Sequence, residues 1–111
     1  SNYSTSFFCY SLKRFNKKFP NLKNDFLALE KELLLNPKQG EDLGAGLFKI
    51  RLANRDKGKG KSSGYRIITY LIAEQESVNT IYLLKIYDKS EDSTISKSVL
   101  LKLAKSIFGN Y

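Results

Sequence analysis

The sequence predicts an α+β fold of order βααβββα, with a mainly antiparallel sheet and helices packed on one of its faces. Three observations predict it. Apolar residues alternate in the middle of the chain, as in Phe48, Ile50 and Leu52 against Lys49 and Arg51. They recur at three and four residues on either side of that region, as in Phe26, Leu29 and Leu33. The links between the β-prone runs are of hairpin length, which favours antiparallel neighbours.

Taken in order, Tyr3 to Phe8 is a short aromatic, β-prone opening strand. Ser11 is placed to cap a short helix with Leu12, Phe15 and Phe19 on one face, and Pro20 interrupts it. Asn21 caps a second helix, whose Leu22, Phe26, Leu29 and Leu33 form one stripe; Asn36-Pro37 stops it. Gly40, Gly44 and Gly46 mark a loop. Strands are expected over Leu47–Leu52, Tyr65–Ile72 and Thr80–Tyr87, with a polar Gly/Lys-rich loop over Asn54–Gly64 and a hairpin over Ala73–Asn79. Ile95, Val99, Leu103 and Ile107, with Leu100 and Ala104 beside them, give the closing helix. No internal repeat or linker divides the chain, so residues 1–111 are expected to form one domain.

Composition bounds the function classes. With 41% hydrophobic and 13% aromatic residues the chain can build a core. It contains no run of 18 apolar residues and no charged-then-apolar leader, and its lone cysteine, Cys9, fits a reducing compartment, so a cytoplasmic protein is expected. The net charge of +8 is unevenly spread. Lys49, Arg51, Arg55, Lys57, Lys59, Lys61 and Arg66 face a single anion, Asp56, in an 18-residue stretch of net +6, while the other 93 residues carry only +2. A local excess of this kind suits a polyanion, although a solvated basic loop would produce the same pattern.

Several chemistries are excluded by residue type. There is no histidine, which removes histidine triads and histidine-ligated zinc. One cysteine cannot build a four-thiolate site. The segment Gly58-Lys59-Gly60-Lys61-Ser62 resembles a phosphate loop only superficially, since Arg55 stands where the first glycine belongs and a strand follows it. The acidic residues are scattered, so neither a metal pair nor any other cofactor is expected.

What remains is a set of cations placed by strand geometry. Lys49 and Arg51 lie two apart and project from one face. Arg66, in the next strand, interrupts an otherwise apolar run, where a charge needs a partner or a job. If the strands pair, the three converge and can bind a phosphodiester and stabilise a phosphorane. The other reading of Lys49 and Arg51 is the solvent face of a half-buried strand. Tyr70 and Tyr82 read as core, and Tyr87 and Lys89 as either core or site.

The runs Leu47-Phe48-Lys49-Ile50-Arg51-Leu52-Ala53, Lys57-Gly58-Lys59-Gly60-Lys61-Ser62, Gly64-Tyr65-Arg66-Ile67-Ile68 and Leu83-Leu84-Lys85-Ile86-Tyr87-Asp88-Lys89-Ser90-Glu91 resemble the central signature of the RelE/ParE superfamily of type II toxins, most closely its HigB branch. The resemblance spans nearly the whole chain. It implies a RelE-like fold and a ribosome-dependent endoribonuclease that cuts messenger RNA in the A site by attack of the ribose 2′-hydroxyl, without a metal. Its implied partners are a cognate antitoxin protein, the ribosome and messenger RNA, with no membrane. By the resemblance Arg66, Lys49, Arg51 and Lys89 are the catalytic cations, and Lys57, Lys59, Lys61 and Arg55 bind flanking RNA. The family's tyrosine near the last helix falls at about Ile95 here, so Tyr87, Glu91 or a lysine crowded by like charges is left as the base. A ParE-like gyrase poison and a non-catalytic module binding nucleic acid or the ribosome are the alternative functions.

Overall fold

The computed structural model describes residues 4–9, 22–52, 64–74 and 78–108. Strand β1 is Ser4–Cys9 and helix α1 is Leu22–Leu35, followed by strands β2 (Glu41–Gly44), β3 (Leu47–Leu52), β4 (Tyr65–Glu74) and β5 (Val78–Asp88). A 3-10 helix over Lys89–Thr94 leads to helix α2, Lys97–Phe108. The five strands form one sheet in the order β1-β5-β4-β3-β2. Strands β5 to β2 run antiparallel to their neighbours, and β1 lies parallel to β5. The α+β class and the mainly antiparallel sheet stand. The helix expected over 11–19 and the loop expected over 54–63 lie outside the described residues.

The first departure from expectation is β2. The stretch from Gly40 to Gly46 is not a loop but an edge strand paired with β3 through a two-residue turn. Ala45 and Gly46 both have positive φ, at 54° and 84°, the handedness that matches the twist of a tight hairpin. The glycines were legible as breakers, yet they shape the hairpin itself. At Gly46 the backbone of β4 comes close, for Leu71 donates its N–H to the Gly46 carbonyl at 2.9 Å. Gly40 has φ +99°, and a Cβ there would stand 2.5 Å from the Lys49 carbonyl oxygen.

The second departure concerns the helices. Residues alternate between faces along each strand, and both faces carry apolar residues. On one face Ile50, Tyr65, Ile67, Ile81, Leu83 and Ile86 pack against Phe26, Leu29 and Leu33 of α1. On the other, Leu47, Ile68, Leu84 and Tyr87 pack against Leu100 and Ala104 of α2. The helices therefore cover opposite faces, and the expectation of helices on one face is corrected. A bulge decides part of this. The β4–β5 register shifts between Ile68 and Thr69, which pair with Lys85 and Leu83, so Leu84 is the extra residue and turns toward α2.

The stripe read for α2 is also rotated. Leu100 and Ala104 are buried, Leu103 and Ile107 half-buried, and Val99 is exposed. Ser96 caps this helix, its Oγ accepting from the Val99 N–H at 3.3 Å. Each fully buried apolar side chain of these two faces stabilises the fold by about 1.5–3 kcal/mol.

Gly40 yields a direct test of the hairpin. Gly40→Ala combines left-handed strain with a backbone clash and is expected to destabilise by about 1–3 kcal/mol. The readout is a lower urea midpoint at unchanged slope. An unchanged midpoint would show that the Gly40 turn tolerates a side chain.

Candidate functional site

The register places the sequence's cations together. Arg51 of β3 lies directly opposite Arg66 of β4, and Arg66 lies opposite Tyr87 of β5. One row away, Lys49 is opposite Ile68 in β4 and opposite Glu41 in β2. By strand alternation Lys49, Arg51, Arg66 and Tyr87 share the face that carries α2, beside its apolar contact.

Two guanidinium groups directly across a strand pair repel each other. Strand geometry alone does not relieve this, and the structure supplies an anion from elsewhere. Asp92, in the 3-10 helix after β5, places Oδ2 3.4 Å from Arg66 Nε and Oδ1 3.9 Å from Lys49 Nζ. The short helix is fixed at its start. Asp88 Oδ1 accepts from the Ser90 N–H at 2.9 Å, and the Lys89 N–H donates to the Gly64 carbonyl at 3.0 Å. At its end the Ile95 N–H donates to the Asp92 carbonyl at 3.2 Å. These bonds aim Asp92 back over the sheet.

Arg66 is only 2% exposed. Its Nη1 donates to the Tyr65 carbonyl at 3.2 Å, so the guanidinium is oriented from below as well as by Asp92. Lys49 is half-buried and Arg51 exposed. The set is therefore graded, from a fixed, sheltered guanidinium to a solvent-facing one.

Tyr87 is fully buried between this cluster and α2. Burial, and then the Asp92 carboxylate beside it, push its phenol well above the ordinary tyrosine value, against the pull of Arg66. Its hydroxyl and Asp92 Oδ1 are both buried atoms that lack a hydrogen bond of good geometry among the described residues. The carboxylate lies near enough to favour the protonated phenol without being bonded to it. The phenol is therefore held in its protonated form.

The remaining candidates are spread. Lys89 and Glu91 are exposed on the 3-10 helix, and the Glu91 carbonyl accepts from Thr94 Oγ1 at 2.7 Å. Arg55, Lys57, Lys59 and Lys61 lie outside the described residues. Sequence reasoning missed Asp92. The sequence offers the adjacent Glu91 as one of three candidate bases and singles out no carboxylate partner for Arg66, although the charge of Arg66 demands one. Asp92 was one of few acids near the strand that neighbours Arg66.

Among the described residues no group of three or more Cys, Asp or Glu is placed to hold a metal ion. No helix there is long and apolar enough to cross a membrane. A search of protein-family models finds none that matches the chain. Chemically, Arg66, Lys49 and Arg51 form a cluster suited to an anion, with the protonated Tyr87 phenol buried beside it.

The folded state holds the Tyr87 proton more tightly than the unfolded chain, so the stability this contributes is complete below about pH 10 and is lost as pH rises above it. Tyr87→Phe should therefore match or slightly exceed wild-type stability at pH 7, since it removes a buried hydroxyl lacking a bond. It should lose less than wild type above about pH 10. Thermal melts across pH 7 to about 11.5 test this; parallel alkaline losses in the two proteins would contradict it.

Proposed function

We propose that this chain is the toxin of a type II toxin–antitoxin pair, a RelE-like endoribonuclease that cuts messenger RNA on the ribosome. The observation that carries the reading is the row of Arg51 and Arg66 with Lys49 beside them on one sheet face, one of the three sheltered and two within reach of solvent. The sequence resemblance to the HigB branch, which rests on the same residues, supports it.

In this reading Lys49 and Arg51 seat the phosphate at the cut and Arg66 stabilises the charge that grows on it. The substrate's own 2′-hydroxyl is the nucleophile. It gives up its proton to a base at the rim, Glu91 or a crowded lysine. Its oxygen bonds to the adjacent phosphorus as the bond to the 5′-oxygen breaks, and the 5′-oxygen takes up a proton. The ends are then a 2′,3′-cyclic phosphate upstream and a 5′-hydroxyl downstream. Tyr87 lies in the right row to donate a proton, and Lys89 and Glu91 lie at the rim. Positioning of the message by the ribosome supplies orientation that the isolated site lacks, an effect that can reach several kcal/mol. The cognate antitoxin covers the basic face, and its segment there is acidic or amphipathic.

The test is end-group analysis of a ribosome-bound message after induction. Codon-phased cuts with the two ends named above are expected, and none where the scissile ribose is 2′-deoxy. Arg66→Lys, which keeps the charge but loses the planar fork, should slow cutting by about 10²–10³. Intact messages would favour a gyrase poison or a binding module, and a 5′-phosphate end would refute the chemistry.

A further inference from the structure

We propose that Asp92 is a resident substitute for the RNA phosphate. In the free chain its carboxylate fills the anion seat made by Arg66 and Lys49, and RNA binds by exchanging a phosphodiester for that carboxylate as the 89–94 segment swings aside. The inference rests on the reading above only in that this face receives a phosphate; it does not require cleavage.

Four observations converge. Arg66 is 2% exposed and its Nε faces Asp92 Oδ2, so a phosphate approaching that edge of the guanidinium meets Asp92 first. The Asp92 side chain retains 32% of its exposure, so the carboxylate lies between Arg66 and solvent. The contacts that hold it are loose. At 3.4 and 3.9 Å they exceed the roughly 2.7–2.9 Å of a strong charge-assisted bond. One of its oxygens, Oδ1, is buried without a hydrogen bond among the described residues.

The segment that carries Asp92 is also cheap to move. None of the residues of the 3-10 helix Lys89–Thr94 is itself buried, so displacing it takes none of its own side chains out of the core. Arg66, by contrast, is held from beneath by the Tyr65 carbonyl and stays in place when Asp92 leaves. A phosphodiester presents oxygens to both cations at once and can approach in the bidentate geometry that Asp92 does not reach. The seat is thus built for an anion, filled by one held at long distances, and closed by a segment anchored by hydrogen bonds at its two ends and by no buried side chain of its own.

Competition of this kind reduces apparent affinity by the fraction of molecules in which the seat is open. Removing the carboxylate should therefore tighten phosphate binding. The experiment measures binding of a 2′-O-methyl RNA oligonucleotide, which cannot be cut by 2′-hydroxyl attack, to wild type, Asp92→Asn and Asp92→Ser by fluorescence anisotropy. Glu30→Gln, on α1 across the sheet, controls for the change in overall charge. A second arm titrates inorganic phosphate and follows the Arg66 Nε–H resonance. Both Asp92 variants are expected to bind the oligonucleotide about fivefold or more tightly than wild type. The Glu30 variant should gain less. The Arg66 Nε–H signal should shift on adding phosphate, at lower phosphate concentration in the Asp92 variants. If the Asp92 variants gain no more than Glu30→Gln, or the Arg66 signal ignores phosphate in all proteins, the proposal is overturned. If phosphate shifts Arg66 as expected but the oligonucleotide binds none of the proteins, the seat stands and the RNA reading fails.

Discussion

A guanidinium sheltered from water beside a second one has to find an anion, and in this protein that need organises the whole of one sheet face. Arg51 and Arg66 stand opposite each other across β3 and β4. Burial of Arg66 without a partner would cost several kcal/mol. Asp92 supplies the partner, and to do so the chain leaves β5 in a short helix that folds back over the strands it has just completed. Capping by Asp88 and the bond from Lys89 to Gly64 exist to give that return its angle. Burial, and then the same carboxylate, hold the Tyr87 phenol in its protonated form. At 3.4 and 3.9 Å the contacts are longer than those of a tight bidentate pair. A tight bidentate contact would have sealed the cations away.

The two faces of the sheet divide the work. The α1 face is apolar throughout its centre, with Ile50, Ile67 and Ile86 in one row. The α2 face is apolar only where Leu47, Ile68 and Leu84 meet the helix, and charged beyond that line. One strand pattern serves both ends because side chains alternate, so a lysine and an arginine can flank core residues in β3 without entering the core. The bulge at Leu84 adds the apolar residue that this mixed face would otherwise lack.

Much of this was legible beforehand. Local alternation in Leu47–Leu52 and the helical spacing of Phe26, Leu29 and Leu33 depend on near neighbours, and both elements lie where those patterns place them. Convergence of Lys49, Arg51 and Arg66 followed from pairing two adjacent strands. The misses share a different cause. Which face each helix covers depends on the handedness of its connection and on a one-residue bulge, and neither leaves a local pattern. The β2 hairpin was hidden because its glycines signal a turn whether or not strands flank it. Asp92 was hidden because its partner is distant in sequence, and only the demand of Arg66 pointed to it.

The placement of β1 bears on how the molecule comes into being. Ser4 is in register with Val78 and Cys9 with Leu83, so among the described strands the earliest in the sequence docks, in parallel, on the latest. Loop closure over most of the chain must precede that docking, which makes it a late event in folding. During synthesis the opening strand has no sheet to join until β5 has left the ribosome, and Asp92 and α2 follow directly after β5. The cations of β3 and β4, by contrast, meet as soon as those two strands pair, before Asp92 has been made. A nascent chain therefore passes through an interval in which the cations are assembled and the acid is still missing.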